Sequence, residues 1–468
     1  MQRALASFTF CVGVAFAAGA MSQGPQSTPT AGVTSLEGDW AGQIEAGALR
    51  LRVVLHVHTR DGRTVTTLDS PDQAAMGLPA TVSLDAGRVR ITAAGAAGAF
   101  EGEIAGRGSI LRGVWSGAPI SFERMAAGES VRPPRRPQDP VPPYPYRETL
   151  VDYPGGAAGV RLAATLTLPS GEGPFPAVVL IAGSGPNGRD ENVFGHALFL
   201  VLADHLTRQG IAVLRFDKRG VGRSTGDYAA ATSTDFADDV DAGVAYLGTR
   251  REIDPTRIGL VGHSEGGIIA PIVASRDPRV AFLVLMAAPG VSGDQIIMAQ
   301  SRAIAAASGA PSSAIEAGQS VERRFLDALM TAKDAEAAEA GARAVLKDAG
   351  MPEAQADAQA KMGSSAWYRF FLAHDPASAL RRLRIPVLAL NGSKDLQVPP
   401  DQNLSALRMA LADNPRAEVV ELPGLNHLFQ TAATGAPAEY GQIEETMAPA
   451  AMGRIGVWIL ATAVATRR

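Results

Sequence analysis

The chain has 468 residues, of which 46% are hydrophobic, so it is too long for one minimal domain and can bury more than one core. Its formal net charge is −4, which excludes the strong basic excess that most nucleic-acid-binding domains carry. The only cysteine, Cys11, lies in a segment that we expect to be removed, which leaves no disulfide or thiolate metal site in the mature protein.

The N-terminal segment has the pattern of a secretory signal. Arg3 precedes an apolar stretch over 8–17, and the small residues Ala18-Gly19-Ala20 follow. The apolar stretch is shorter than the about 20 residues that a membrane span needs. We therefore expect residues 1–20 to be cleaved, residues 21–34 to form a flexible leader, and the mature protein to be secreted or periplasmic without an integral membrane span.

Residues 35–125 alternate short apolar runs with turn signals such as Asp61-Gly62, which favours a small antiparallel β domain, curled or barrel-like. Trp40 and Trp115 are expected in its core. The clearest predicted strands are 49–55, 64–68, 88–91 and 109–115.

Two histidines in this domain, His56 and His58, alternate on one strand and should share a face. Such a pair either begins a metal site or lies on a solvated strand face. Because no third ligand is evident nearby in the sequence, we expect the solvated face and predict no metal.

Residues 126–147 are dense in proline, which favours an extended linker between two domains. After the linker, strands and helices alternate over 148–290 and 384–468, which predicts a mostly parallel sheet flanked by helices. The first two strands should pair antiparallel. Predicted strands are 148–153, 160–168, 177–181, 212–216, 257–261, 281–286, 387–391 and 417–421; predicted helices are 195–209, 233–247, 266–275 and 448–465.

Residues 291–383 interrupt this alternation with a helical insertion that we expect to form a lid. Trp367, Phe370 and Phe371 recur there at helical spacing and predict one aromatic face. That face can pack against the domain below or can border an acyl group of a substrate.

The centre of the predicted sheet carries Gly262-x-Ser264-x-Gly266 between a strand and a helix, which is the form of a nucleophile elbow. A serine on such a turn sits in strained backbone with no room for side chains two positions away. It also faces the positive end of the following helix, where developing negative charge is stabilised.

A serine nucleophile needs a base and an acid that orients the base. Of the seven histidines, His427 alone follows the last strand in a loop at the expected edge of the sheet. The acid is expected to be Asp395, which follows another buried strand. Asp401 is a competitor, but it is expected to cap a helix.

The oxyanion donors are predicted to be backbone N–H groups. One belongs to Glu265, the residue after the nucleophile, and the other to Ser184 in the glycine-rich loop 182–191, with Gly185 as its competitor. This loop lacks the Lys-Ser/Thr ending of a phosphate-binding loop. Its charged residues 189–191 are expected to hold the loop by ion pairs rather than to steer substrate.

From Glu148 onward the chain resembles the serine α/β-hydrolases. The motifs that carry the resemblance are Gly183-Ser184-Gly185-Pro186, Asp217-x-Arg219-Gly220, Gly262-His263-Ser264-Glu265-Gly266-Gly267 and Asn391-Gly392-x-x-Asp395. Together with the opening 36–42 and the stretch 68–73, they look like a bacterial carboxylesterase subgroup with an added N-terminal β domain. One departure is Gly188, where the subgroup pattern has an aspartate.

The resemblance implies ester hydrolysis through an acyl-serine intermediate without a metal. Our hypothesis is a carboxylesterase that acts on small to medium acyl esters without a cofactor, with Gly185, Trp367, Phe370 and Phe371 as candidate substrate-binding residues. A peptidase, amidase or thioesterase with the same triad is the alternative, as is a binding protein with a relic site. The oligomeric state is not predicted from the sequence.

Overall fold

The computed structural model describes residues 36–465, except for short gaps at 47–48, 61–62, 72–74, 94–98, 116–117, 127–128, 130 and 132–134. The predicted signal (1–20) and leader (21–34) lie outside the described residues. Among those that are described, no helix is both long enough and apolar enough to cross a membrane.

The N-terminal part is an eight-stranded antiparallel barrel, closed where the last strand pairs with the first. Inward-facing apolar side chains alternate with outward-facing polar ones, so a single core fills the barrel. Trp40 and Trp115 lie in this core as predicted, and the Trp40 indole donates to the Leu36 carbonyl at 2.8 Å. The strands are β1 (Gly38–Ala46), β2 (Leu49–Arg60), β3 (Arg63–Ser70), β4 (Ala75–Asp85), β5 (Arg88–Ala93), β6 (Ala99–Ala105), β7 (Ile110–Trp115) and β8 (Ala118–Arg124).

Arg136 helps to anchor the linker to the part of the chain that follows it. The Arg136 guanidinium donates to the carbonyl oxygens of Phe194, Gly195, Gly441 and Ile443 at 2.8–3.2 Å. An arginine whose donors face backbone carbonyls on two separate loops fixes the linker on the protein surface.

The second sheet has eight strands, and helices pack on both of its faces over two apolar clusters. Numbered along the chain from one edge, the strand order is 1-2-4-3-5-6-7-8, with the second strand antiparallel to both neighbours and the remaining pairs parallel. This is the α/β-hydrolase topology that the sequence predicted. The strands are β9 (Arg147–Pro154), β10 (Arg161–Leu168), β11 (Phe175–Ile181), β14 (Ala212–Phe216), β15 (Ile253–His263), β16 (Val280–Met286), β17 (Val387–Gly392) and β18 (Ala417–Leu422).

Four predicted helices of this sheet are present, with one boundary corrected. The first begins at Leu198 instead of Gly195 because β12 (Asn192–Val193) pairs with β13 (His196–Ala197) in a short hairpin. The expectation of a helical His196 was therefore wrong. The helices are α1 (Leu198–Arg208), α2 (Ser233–Gly248), α3 (Gly266–Ala274) and α12 (Pro449–Ala465).

Residues 291–383 contain helices joined by turns and no strand. These helices share a small apolar core of their own. Their amphipathic pattern lets one face of each helix contribute to that core. The helices are α4 (Gly293–Ala307), α5 (Ser312–Thr331), α6 (Ala335–Asp348), α7 (Glu353–Gly363), α8 (Ala366–Ala373) and α9 (Ala377–Leu380); α10 (Pro400–Ala410) and α11 (Pro437–Tyr440) follow outside the insertion.

Candidate active site

Ser264 occupies a sharp turn between β15 and α3. Its φ of +53° lies in the left-handed region, which a non-glycine residue adopts only where the surroundings force it. The Ser264 N–H donates to the Met286 carbonyl at 2.9 Å, and its carbonyl accepts from Gly267 N–H at 2.8 Å. These bonds hold the strained residue at the carboxyl end of the central strand.

The glycines around Ser264 are required by close backbone approach. A Cβ atom built at Gly262 would lie 2.1 Å from the Gly266 carbonyl oxygen, and one at Gly266 would lie 2.0 Å from the Ile181 carbonyl oxygen. Both distances are far inside van der Waals contact, so the turn cannot accept side chains there.

Asp395 and His427, the predicted acid and base, contact each other. His427 Nδ1 lies 2.8 Å from Asp395 Oδ2, and both residues are buried. The other carboxylate oxygen of Asp395 accepts the N–H groups of Gln397 and Val398, each at 2.8 Å. These two bonds leave Oδ2 to hold the imidazole in one orientation. The hydrogen bond from the Ser264 hydroxyl to His427 Nε2 stays a prediction.

Asp401, the competing acid, lies outside this arrangement. Helix α10 begins at Pro400, so Asp401 is exposed in the first helical turn. The expectation that it caps the helix was wrong, because Pro399 occupies the cap position.

His263 joins the nucleophile turn to the loop that carries His427. Its Nε2 lies 3.0 Å from the His427 carbonyl oxygen, and the two imidazole rings are 4.9 Å apart between centroids. Its Nδ1 lies 2.9 Å from Glu191 Oε1. Burial by itself lowers the pKa of His263, but the Glu191 carboxylate and the His427 carbonyl outweigh it and raise that pKa above its ordinary value.

The glycine-rich loop is fixed at Gly183 by both of its backbone polar groups. Its N–H donates to Glu191 Oε1 at 2.6 Å, and its carbonyl accepts from Lys218 Nζ at 2.6 Å. A Cβ atom built at Gly183 would lie 3.2 Å from the Ser264 Cβ, so the loop lies directly against the nucleophile.

Of the two predicted oxyanion donors, Glu265 directly follows Ser264 in the chain, and Ser184 directly follows Gly183, which lies against Ser264. Within the part of the chain that the structure describes, neither Ser184 nor Glu265 donates its backbone N–H to another protein group. Ser184 as the second donor, with Gly185 as its competitor, stays a prediction.

The Glu265 side chain is buried and fully occupied by protein donors. Its carboxylate lies 3.1 Å from Lys218 Nζ and accepts from the Ser233 hydroxyl and the Trp367 indole, each at 2.7 Å. Charge-assisted bonds of this kind stabilise a buried carboxylate that would otherwise be costly. The carboxylate therefore has a structural role, because it joins Lys218, Ser233 and Trp367. The backbone N–H of the same residue is the candidate oxyanion donor.

The charged residues of the loop form ion pairs, in line with the sequence interpretation. Arg189 makes a bidentate pair with Asp217 at 2.7 and 3.0 Å, and its backbone N–H donates to the same carboxylate at 2.9 Å. Burial opposes ionisation of Asp217, yet the bonds from Arg189 hold its pKa below the ordinary value. A Cβ atom at Gly188 would lie 3.5 Å from Asp217 Oδ1, so an aspartate there would face a carboxylate that already braces the loop.

The aromatic residues of α8 divide into two pairs. Trp367 stacks on Phe371 with 5.7 Å between ring centroids, whereas Phe370 stacks on His374 at 5.1 Å. These four rings recur at i, i+3, i+4 and i+7 along α8, so they lie on one side of the helix as two stacked pairs. Their contact with a substrate, like that of Gly185, stays a prediction.

Two supporting residues were not predicted to have roles at the site, Lys218 and His263. No local pattern in the sequence shows that Lys218 contacts both Gly183 and Glu265. The position of His263 inside the elbow lets its ring join Glu191 to His427. Among the described residues, one group of potential metal ligands lies close together, Asp39, His56 and His58, and it belongs to the barrel.

Comparison with known proteins agrees with this topology. Residues 158–422 match the family described as X-Pro dipeptidyl-peptidase (S15 family). Esterase EstD of Thermotoga maritima is 29% identical over 282 residues, which cover 60% of this chain and 61% of EstD. The thiohydrolase apmlB of Arthrinium phaeospermum is 39% identical over 80 residues, which cover 16% of this chain and 25% of that protein. The chain thus spans about three fifths of the first relative and a quarter of the second.

Two solved structures are also similar. An esterase of Pyrococcus furiosus matches at 15% identity with a TM-score of 0.43, covering 71% of this chain and 99% of that chain. A proline iminopeptidase-related protein of Thermus thermophilus matches at 22% identity with a TM-score of 0.41, covering 68% of this chain and 99% of that chain. Because the S15 match covers more than half of the sequence and includes the nucleophile turn and the acid, the chain belongs to the S15 peptidase family of serine hydrolases.

Proposed function

We propose that the protein is a serine carboxylesterase that hydrolyses small to medium acyl esters through an acyl-serine intermediate. The observation that carries this proposal is the buried Asp395–His427 pair, whose loop is bonded through His263 to the strained turn that presents Ser264. Such a turn and pair are the parts that convert a weak hydroxyl into a nucleophile.

In the proposed reaction, the Ser264 hydroxyl oxygen attacks the ester carbonyl carbon while His427 Nε2 takes the hydroxyl proton. Asp395 holds the opposite ring nitrogen and stabilises the imidazolium that forms. The carbonyl oxygen becomes an oxyanion that accepts the N–H groups of Ser184 and Glu265. The tetrahedral intermediate then collapses, and the alcohol leaves with the proton from His427. Water, activated by His427, hydrolyses the acyl-serine and restores the enzyme.

The relatives support an ester substrate, since Esterase EstD aligns over 60% of this chain. The family description favours an amide as the second candidate, because it names X-Pro dipeptidyl-peptidases. The lid supports an apolar acyl group: Trp367 is fixed by its indole N–H while its ring stacks on Phe371. We propose that Trp367, Phe370, Phe371 and Gly185 border that group.

The test is a matched series of p-nitrophenyl esters and p-nitroanilides of increasing acyl length, with a thioester arm. The proposal predicts turnover of the esters with a maximum at short to medium chains and at least a tenfold lower kcat/KM for the matched anilides. A higher kcat/KM for the anilides than for the matched esters would instead identify the protein as a peptidase or amidase. Ser264→Ala, which should retain the fold, is expected to lower kcat by roughly 10⁴-fold or more.

We further propose that the protein is exported, on the signal-like pattern of residues 1–20. Cell fractionation with N-terminal sequencing of the mature protein tests this. A mature chain that begins after Ala20 outside the cytoplasm is expected, and an uncleaved cytoplasmic chain would contradict the proposal.

A further inference from the structure

The outer face of the barrel carries a cluster of three side chains that resembles a metal-ligand set. Asp39 on β1 lies directly opposite His56 on β2, and His58 follows two residues later on the same face. The alternate residues of these strands, Trp40, Leu55 and Val57, face the apolar core. The pleat therefore presents both histidines and the aspartate together, on the side away from the core.

The three side chains converge on one point. Asp39 Oδ1 lies 2.6 Å from His56 Nδ1 and 2.9 Å from His58 Nε2. One potential ligand atom from each residue lies within 4.8 Å of the other two. Two ligands on a tetrahedral zinc ion are about 3.4 Å apart, given metal–ligand bonds of about 2.0–2.1 Å. An ion would therefore require His56 Nδ1 and Asp39 Oδ1 to move apart by about 0.8 Å.

A second carboxylate orients His56 from its far side. His56 Nε2 lies 2.9 Å from Asp69 Oδ2, while Asp69 Oδ1 accepts the Gly77 N–H at 2.6 Å. Asp69 is only 9% exposed, so its position is fixed by the strands around it. A histidine that donates one ring N–H to a fixed carboxylate and turns the other nitrogen toward an ion is the usual arrangement of metal-binding histidines.

This orientation of His56 constrains which charge can lie between its Nδ1 atom and the Asp39 carboxylate. When Nε2–H donates to Asp69, His56 Nδ1 presents a lone pair to a carboxylate oxygen 2.6 Å away. Two acceptors at that distance repel each other unless a positive charge lies between them. The charge is a proton on His56 when no ion is bound, and a metal ion that enters the cluster would displace that proton.

We propose that Asp39, His56 and His58 bind a divalent transition-metal ion, for which zinc is the best match, with Asp69 as the outer partner of His56. Two imidazoles and one carboxylate are ligands that zinc favours, and three protein ligands leave a fourth position for water. The side chains of His58 and Asp39 are 42% and 35% exposed, so this position is open to solvent. The site lies in the barrel and is separate from the proposed ester hydrolysis, so either proposal can fail alone.

The experiment uses the full chain without a polyhistidine tag, stripped with a chelator and dialysed. Zinc is titrated by calorimetry, and cobalt is added separately to record its visible d–d absorption. We expect one zinc per chain and the intense cobalt bands of a four-coordinate site. His56→Gln/His58→Gln should weaken zinc binding by about 100-fold or more, and Asp69→Asn by about 10–100-fold.

The matched controls are His205→Gln, on helix α1, and Asp85→Asn, on an exposed position of the barrel. Both should bind zinc like the unaltered chain. Circular dichroism of each variant establishes that the barrel is folded, and the conservative Asp69→Asn variant keeps the test valid if the double variant does not fold. The proposal is overturned if the unaltered chain binds no stoichiometric zinc, or if the ligand variants bind it as the controls do.

Discussion

The indole N–H of Trp367 donates to the buried carboxylate of Glu265 at 2.7 Å. Trp367 belongs to lid helix α8, whereas Glu265 follows the nucleophile Ser264 in the elbow. The lid is therefore hydrogen-bonded to the residue whose backbone N–H is the candidate oxyanion donor. Lys218 extends this connection, because its ammonium group contacts both Glu265 and the carbonyl of Gly183.

Replacing Trp367 with Phe removes this hydrogen bond and keeps an aromatic ring on the lid. The loss of a bond to a charged group should cost about 1.5–3 kcal/mol of unfolding free energy. We also expect a several-fold decrease in kcat on a short-chain aryl ester, since the elbow loses a fixed partner. Denaturant unfolding and steady-state kinetics measure the two effects.

Trp458→Phe is the matched control, because its indole donates to Glu418 at 2.9 Å on the opposite side of the sheet. It should lower stability without changing kcat. Equal kinetic effects in both variants would show that the Trp367 bond has no special role at the site.

Glu191→Gln tests the pair between Glu191 and His263. A histidine with a raised folded-state pKa contributes stability that is fully present below its unfolded pKa, about 6.5, and is lost as pH rises through the folded value. The difference in melting temperature between the unaltered chain and this variant should therefore be largest at pH 6 and should shrink at alkaline pH.

Glu148→Gln serves as the control, since its carboxylate pairs with Arg215, which does not titrate in that range. Its effect should not vary with pH over the same interval. A pH-independent effect of Glu191→Gln would contradict a charged His263.

The lowered pKa of His196 predicts that the folded protein loses stability in acid. Burial lowers its pKa to about 4, and the side chain lies next to Gln430 in the loop that follows His427. A depressed histidine pKa means that the stabilisation is present above about pH 6.5 and is lost progressively toward pH 4. Between pH 7 and pH 4 the unaltered chain should lose about 3 kcal/mol more than His196→Gln. Urea titrations across this range measure the difference, and equal losses would contradict a neutral buried imidazole.

Gly188→Asp tests whether a second carboxylate can be accommodated beside Asp217. The new carboxylate would lie beside Asp217 and compete for Arg189, so we expect a loss of about 1 kcal/mol and a few-fold lower kcat/KM. Gly188→Asn has the same shape without the charge and should have a smaller effect. An increase in activity for the aspartate variant would instead show that a second carboxylate strengthens this loop.

The topology was predictable because its signals are local. Buried strands such as 257–261 end at glycines and polar loops, and the carboxyl ends of parallel strands meet at one edge of the sheet. The order Ser264, Asp395, His427 follows from the same argument. The pairing of Asp395 with His427 needed only that two neighbouring strands end side by side.

Contacts between distant segments were not predictable. Nothing local to Lys218 indicates that it contacts both Gly183 and Glu265, and nothing local to His56 indicates that Asp39 lies opposite it. The predicted start of α1 was wrong because residues 192–197 form a short hairpin before the helix begins at Leu198. Helical periodicity predicted that Phe370 lies on the same face as Trp367 and Phe371. It did not predict that the Phe370 ring stacks on the His374 ring.

The central claim is that Ser264 forms an acyl-enzyme with the help of His427. The most direct measurement is mass spectrometry of the intact protein and its peptides after reaction with a fluorophosphonate. One adduct on the peptide that contains Ser264 is expected, absent in Ser264→Ala and formed at least about 100-fold more slowly in His427→Gln. An unlabelled Ser264, or equal labelling after His427 is replaced, would contradict the account.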